Sequence, residues 1–169
     1  MKYCKIENAK DDSDAMYISA CWDKGINKGC IHGQTGEIYP IIHRMLCAGD
    51  PCAKVTVSQL GASYCWTFHM LYYKNKRIGC IIVSFDDAFK CAEFLYMYIE
   101  ESMQGRGLGS IFQSMIEEQI TTNIPNLKEF KIRCFSSSLA GQAIANKLGY
   151  RCVSISPNEK IQDYRKDVR

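Results

Sequence analysis

One junction constrains this chain more than any other. An apolar run at residues 94–99, Phe-Leu-Tyr-Met-Tyr-Ile, leads into Gln104-Gly105-Arg106-Gly107-Leu108-Gly109. A helical repeat of apolar residues follows at Leu108, Ile111, Phe112, Met115 and Ile116. A strand that feeds a glycine-rich turn at the start of a helix gathers N–H groups at one point. The turn contributes some and the first helical residues contribute the rest, and the helix dipole adds partial positive charge there. Glycine lets a bulky anion such as a phosphate reach that backbone, and Arg106 can add a full charge at the rim. Without a ligand, the same six residues serve as a tight strand-to-helix connection.

Two phosphate-loop alternatives fail on spelling. A P-loop ends in Gly-Lys-Ser/Thr, whereas Leu108-Gly109-Ser110 has no lysine. A dinucleotide-binding fold places its glycines early in a βαβ unit, with an acidic residue about twenty positions on. Here the motif lies past the middle of the chain. The acidic residue near that distance, Glu129, sits in Lys128-Glu129-Phe130-Lys131-Ile132, which reads as the start of a strand.

With 169 residues, the chain is expected to form one domain, residues 1–169, around a single core. The net charge of +3 is not gathered into any basic tract longer than Arg165-Lys166, so nothing calls for nucleic acid. No apolar run approaches the roughly eighteen residues that span a bilayer. The N-terminus carries charge where a signal peptide needs an apolar segment. Ten cysteines are many for this length. No Cys-x-x-Cys pair occurs, and His32, His43 and His69 stand at no ligand spacing, so no metal is expected. Cys65, Cys80, Cys91 and Cys134 lie in apolar runs, where a free thiol acts as a small hydrophobe. The expectation is a cytoplasmic protein with reduced cysteines.

Periodicity orders the rest. Residues 2–6 suit a short strand. Asp11-Asp12-Ser13-Asp14 opens a helix that continues through Met16, Tyr17, Ala20 and Cys21 and should stop near Gly25. Residues 25–36 read as loop, and 37–48 as a second helix that tolerates Pro40 only in its first turn. Two β-prone runs, 63–73 and 77–85, flank Lys74-Asn75-Lys76 as a hairpin. Residues 91–99 form a strand that is apolar on both faces, as expected near the middle of a covered sheet. A helix over 107–121, a strand over 130–134 and a helix that can be capped by Ser136, Ser137 or Ser138 come next. Strands at 151–156 and 160–166 close the chain, joined by Pro157-Asn158-Glu159. This is an α+β order.

Gln-x-x-Gly-x-Gly after a strand resembles the signature of the GNAT superfamily of N-acetyltransferases, with Gln104, Gly107 and Gly109 at the required spacing. The family's next landmark also has its counterpart in the strand at 130–134, a helix through Ala143, then Leu148-Gly149-Tyr150 and Val153-Ser154-Ile155. The close resemblance covers residues 91–156. It implies a mixed, mostly antiparallel central sheet of six to seven strands flanked by about four helices. It also implies transfer of an acetyl group from acetyl-CoA, as co-substrate and with no metal, to a primary amine of a small molecule, peptide or protein. The partners are then acetyl-CoA and the amine, in a monomer or homodimer.

The resemblance assigns roles residue by residue. Met97, Tyr98 and Ile99 would present backbone to the pantetheine arm. Gln104, Gly105, Arg106, Gly107, Leu108, Gly109 and Ser110 would hold the pyrophosphate, and Ser138 takes the place of the family's frequent asparagine. Lys147 can reach a ribose phosphate or face solvent. Glu93 stands as far before the motif as the catalytic glutamate of the histone-acetylating branch. Strand alternation puts Glu93 on the side of Leu95, Met97 and Ile99, where apolar neighbours would raise its pKa. Glu100 and Glu101 are rival bases. The tyrosine that usually protonates the leaving thiolate is replaced by Ala145, and Tyr164 is a surface candidate in its stead. These departures keep open a catalytically silent acetyl-CoA-binding module.

Overall fold

The computed structural model describes residues 3–57, 62–156 and 160–168. The chain runs β1 (Cys4–Asn8), α1 (Asp12–Asn27), α2 (Ile38–Ala48), β2 (Ala53–Val57), β3 (Ala62–Tyr73), β4 (Lys76–Asp86) and β5 (Cys91–Ile99). A 3-10 turn, Glu101–Met103, leads to α3 (Leu108–Asn123). The chain closes with β6 (Glu129–Phe135), α4 (Leu139–Lys147), β7 (Arg151–Ser156) and β8 (Ile161–Asp167). The fold is α+β.

Eight strands form one sheet in the order β1-β3-β4-β5-β6-β8-β7, with β2 beside β1 on the same edge of β3. Among the described residues the β5–β6 pair alone is parallel; every other pairing is antiparallel. The sequence reading gave no strand at β2, because Ala-Lys-Val-Thr-Val is short and follows the turn at Asp50-Pro51. That pairing sets Cys52 beside Cys65, and the two form a disulfide with Cα atoms 5.8 Å apart. The expectation that all the cysteines are free is corrected for this pair.

Two cores sandwich the sheet. On one face, α3 and α4 bury Leu108, Phe112, Ile116 and Ala145 against Ile81, Val83, Phe94 and Ile132. On the other, α1 and α2 bury Ile18, Trp22, Ile38 and Ile42 against Phe68, Met70, Cys80 and Ile82. The local chemistry follows the sequence. Asp11 caps α1 through a bond from the Asp14 amide, at 3.0 Å. Pro40 falls in the first turn of α2. Lys74 and Asn75 both take positive φ, as a two-residue hairpin turn requires. Helix α1 runs past Gly25, where it was expected to stop. A Cβ there would come within 2.8 Å of the Tyr96 ring, so this glycine serves helix–sheet contact rather than termination. On α3, the buried Glu117 receives Lys166 at 2.6 Å and the Tyr150 hydroxyl at 2.7 Å. This ties the helix behind the glycine turn to β8. The Pro157-Asn158-Glu159 turn lies outside the described residues.

Candidate active site

β5 and β6 pair only from Cys91 with Glu129 to Phe94 with Ile132. Beyond that point β5 stays with β4 and β6 with β8, so the sheet forks. A forked edge leaves backbone N–H and C=O groups that a ligand's amides can pair with. A cavity of about 600 Å³ fills the fork. Its walls come from residues 94–99 of β5, Ile132, Arg133 and Cys134 of β6, the glycine turn, α4, and α1 with the loop that follows. Lys24, Lys28, Arg133 and Lys147 line it, and among the described residues no acidic side chain does.

The turn is built to present amides. Gln104 folds back so that its Nε2 donates to the Ile99 carbonyl at 2.7 Å, which fixes the strand end. Gly107 is the N-cap of α3 with φ +73°, a left-handed conformation that side chains other than glycine adopt at a cost. The first helical bond runs from the Ile111 amide to the Gly107 carbonyl. Among the described residues, no acceptor takes the six amides of residues 105–110. A helix start ordinarily leaves four N–H groups open; the turn extends that number. Lys147 Nζ lies 3.9 Å from where a Gly107 Cβ would stand, adding a cation beside the amides. Arg106 points elsewhere, its guanidinium donating to the Ser102 carbonyl at 3.0 Å, and its side chain is not part of the cavity wall.

A second cavity, of about 570 Å³, lies along β5, β6 and β8 and includes Tyr64, Ser84, Glu93, Lys131 and Asp163. Ile132 and Arg133 line both cavities, so the two meet at the fork. Most charges in this groove are already matched. Glu129 takes Lys131 at 3.2 Å and Arg165 at 3.3 Å, and Asp163 takes Arg133 at 2.8 Å. Asp86 accepts from the Lys90 and Cys91 amides at 2.7 and 2.9 Å. Burial pushes the Cys91 thiol up to about 11, which keeps it protonated.

Residues 40–150 match the family model described as Acetyltransferase (GNAT) family. The chain belongs to the GNAT acetyltransferase family. No curated protein sequence matches it. Solved GNAT-like structures resemble it over nearly its whole length at low identity. One is an acetyl transferase from Salmonella typhimurium that modifies the N-terminal serine of a 50S ribosomal subunit protein. It is 14% identical, with 100% of this chain and 97% of that one covered and a TM-score of 0.71. A second is RimL, a ribosomal α-N-protein acetyltransferase in complex with coenzyme A, at 14% identity, coverage of 99% and 96%, and a TM-score of 0.72. A third is YncA from Salmonella typhimurium with its cofactor acetyl-CoA, at 13% identity, coverage of 98% and 94%, and a TM-score of 0.71.

Within this GNAT fold, Met97, Tyr98, Ile99, Gln104, Gly105, Gly107, Leu108, Gly109, Ser110 and Ser138 all line the fork cavity. Ser138 holds the N-cap position of α4 but makes no side-chain capping bond. Glu93 departs from the sequence reading in two respects. β5 bulges at Leu95, since Ile82 pairs with Tyr96 while Val83 pairs with Phe94. The extra residue reverses the alternation, so Met97 and Ile99 pack into the α3 core while Glu93 stands opposite Ser84 on the other face. Its neighbours are the polar groove residues rather than apolar side chains. Glu101 is paired with Lys28 at 2.6 Å, and Glu100 lies 3.9 Å from Lys76. Tyr164 is no surface tyrosine: its ring is buried in the α3 core and its hydroxyl donates to Gln162 at 2.7 Å.

Sequence reasoning missed the contribution of α1. Lys24 donates to the Tyr98 hydroxyl at 3.4 Å, with its ammonium 5.2 Å from the ring centre, and Lys28 joins it on the cavity wall. Their i, i+4 spacing puts both on one helix face, which was the available signal. Among the described residues, no group of His, Cys, Asp or Glu side chains could hold a metal ion, and no helix is long and apolar enough to cross a membrane.

Proposed function

We propose that the chain is a single acetyl-CoA-dependent N-acetyltransferase domain that moves an acetyl group to a primary amine by direct transfer. The observation that carries this reading is the junction of two cavities at one fork. Among the described residues the charged side chains of the first are all cationic, and it reaches the open amides of the glycine turn, which suits a ligand with several phosphates. The second brings a carboxylate, Glu93, to the opposite side of the same opening. Bound acetyl-CoA supplies an activated acetyl thioester. The chain's own residues would do the rest. The unpaired edges of β5 and β6 hold the pantetheine amides, and residues 105–110 with Lys147 hold the pyrophosphate end. Glu93, directly or through water, takes the proton that the amine must lose to become a nucleophile.

A catalytically silent binder of the same cofactor is the second reading, favoured by one observation. Ala145 is wholly buried where the resemblance expects an acid. The test is thiol release from acetyl-CoA with a broad panel of amines. Release that depends on the amine and yields an N-acetyl product supports the enzyme. Tight CoA binding with background hydrolysis alone leaves the silent module.

A further inference from the structure

The groove on the Glu93 side contains five cations (Lys90, Lys128, Lys131, Arg133, Arg165) and four acids (Asp86, Glu93, Glu129, Asp163). Lys131, Arg133 and Arg165 are taken up by Glu129 and Asp163, and Asp86 is held by backbone amides. Three charges are left over. Among the described residues, the side chains of Glu93, Lys90 and Lys128 make no hydrogen bond and no ion pair.

These three are not scattered. Glu93 sits one residue before β5 and β6 separate, next to the last pair, Phe94 with Ile132. Lys90 and Lys128 stand together at the other end of the groove, where the Lys128 amide donates to the Lys90 carbonyl at 2.7 Å. Both lysines are exposed and Glu93 is half-buried. At the rise of a strand, three residues separate the two ends by roughly 10 Å. The groove therefore has one free negative charge at the fork and two free positive charges on residues whose backbone lies roughly 10 Å away. A ligand that complements it carries an amine at one end and an anion at the other.

We infer that the acceptor is an amine bearing an anionic group roughly 10 Å from its nitrogen, held with the amine at Glu93 and the anion at Lys90 and Lys128. An unblocked peptide N-terminus with an acidic third or fourth residue has this spacing, since extended chain advances about 3.3–3.6 Å per residue. A free α-amino acid does not, because its carboxylate lies too close to its amine. The inference rests on the fork being the site of transfer, and it adds the chemistry of the acceptor and the two residues that select it.

The test uses the full chain saturated with acetyl-CoA and short peptides with a free N-terminus that differ only at the third residue: Asp, Asn or Lys. Free amino acids form a fourth arm. The expected kcat/KM order is Asp over Asn over Lys, about tenfold between the ends, shrinking as salt is raised. The double variant Lys90→Glu, Lys128→Glu should invert that order. Equal rates for the three peptides, an order unchanged by the double variant, or free amino acids as the best acceptors would each overturn the inference. Fluorescence anisotropy of C-terminally labelled peptides on the CoA-saturated protein gives a reading independent of turnover. If no amine is acetylated, the transferase reading fails, and anisotropy still decides whether the groove prefers the acidic peptide.

Discussion

Glu93 and Met97 lie on the same strand and face opposite sides of the sheet, because the bulge at Leu95 inserts one residue between them. Met97 thus belongs to the core under α3, while Glu93 opens onto the groove that meets the fork. A carboxylate and a cofactor cleft can then act on one point from two sides of the sheet. This arrangement predicts a separable role for Glu93. Glu93→Gln keeps shape and removes basicity, so turnover of a competent amine should fall by about a hundred- to ten-thousand-fold. CoA affinity by calorimetry should stay within about twofold, because Glu93 does not line the fork cavity. Turnover within a few-fold of the parent would remove Glu93 from the mechanism.

The glycine turn makes the complementary prediction. Gly107→Asp puts a side chain on a residue with φ +73° and a negative charge among open amides. Strain and repulsion together should weaken CoA binding by about a hundredfold or more. Thermal unfolding should remain cooperative, since the turn is exposed. Unchanged CoA affinity in calorimetry would show that the anion sits elsewhere.

How much of this was legible in the sequence depends on the range of the signal. The turn, its helix and the strand before it were readable because Gln104, Gly107 and Gly109 stand close together at a telling spacing. Of the three, only Gly107 answers to its own left-handed backbone, while Gln104 bonds the Ile99 carbonyl and a Cβ on Gly109 would come within 2.7 Å of Ile144 on α4. The bulge at Leu95 was not, since it is a property of the register between β4 and β5, and periodicity in β5 alone gives regular alternation. β2 escaped for a similar reason: five residues of mixed character become a strand only when β3 offers them an edge. The Cys52–Cys65 disulfide is invisible without that pairing. The wall formed by Lys24 and Lys28 depends on how α1 packs: their i, i+4 spacing marks a shared face but not what that face meets.

His69 offers a pH-dependent stability. It is buried on β3, with Nε2 2.9 Å from the Thr67 hydroxyl and, among the described residues, no partner for Nδ1. Burial lowers its pKa to about 4, against about 6.5 in an unfolded chain. The folded value is the depressed one, so its contribution is full above pH ~6.5 and is lost as pH falls toward ~4. Between pH ~7.5 and ~4.5 this amounts to about 2 to 3 kcal/mol. Urea unfolding of the parent and of His69→Leu at both pH values should show a smaller pH difference in the variant by that amount. Equal differences would place the acid sensitivity elsewhere.

The disulfide predicts a stability effect with little catalytic consequence. Cys52 and Cys65 are 13 residues apart in sequence, and neither lines the fork cavity or the groove, although Cys65 follows Tyr64 at the groove's edge. Closing a loop of that size contributes about 3 kcal/mol in the chain-entropy model. Cys52→Ser should lower the unfolding midpoint, and dithiothreitol should do the same to the parent but not to the variant. Intact mass should rise by about two on reduction of the parent. Turnover at moderate temperature should be unchanged, and a large loss of activity would mean that β2 helps to shape the site.

The absent acid gives the last prediction. Ala145 is fully buried in the core under α3 and α4, so Ala145→Tyr has no room and should destabilise the fold by several kcal/mol rather than restore a proton donor. Tyr164 is enclosed and its hydroxyl is committed to Gln162. Tyr96 lines the cleft, but its hydroxyl donates to the Cys21 carbonyl at 2.9 Å. This leaves Tyr98, whose hydroxyl meets the Lys24 ammonium in the cavity wall. A thiol's pKa near 8.5 makes the CoA thiolate a good leaving group without assistance. Turnover should therefore be slow but real, with its high-pH behaviour set by no tyrosine. Tyr98→Phe and Tyr164→Phe should each retain turnover within about fivefold across the pH range. A loss of a hundredfold or more in Tyr98→Phe, with CoA affinity unchanged and the high-pH limb displaced, would instead identify Tyr98 as the proton donor to the departing sulfur.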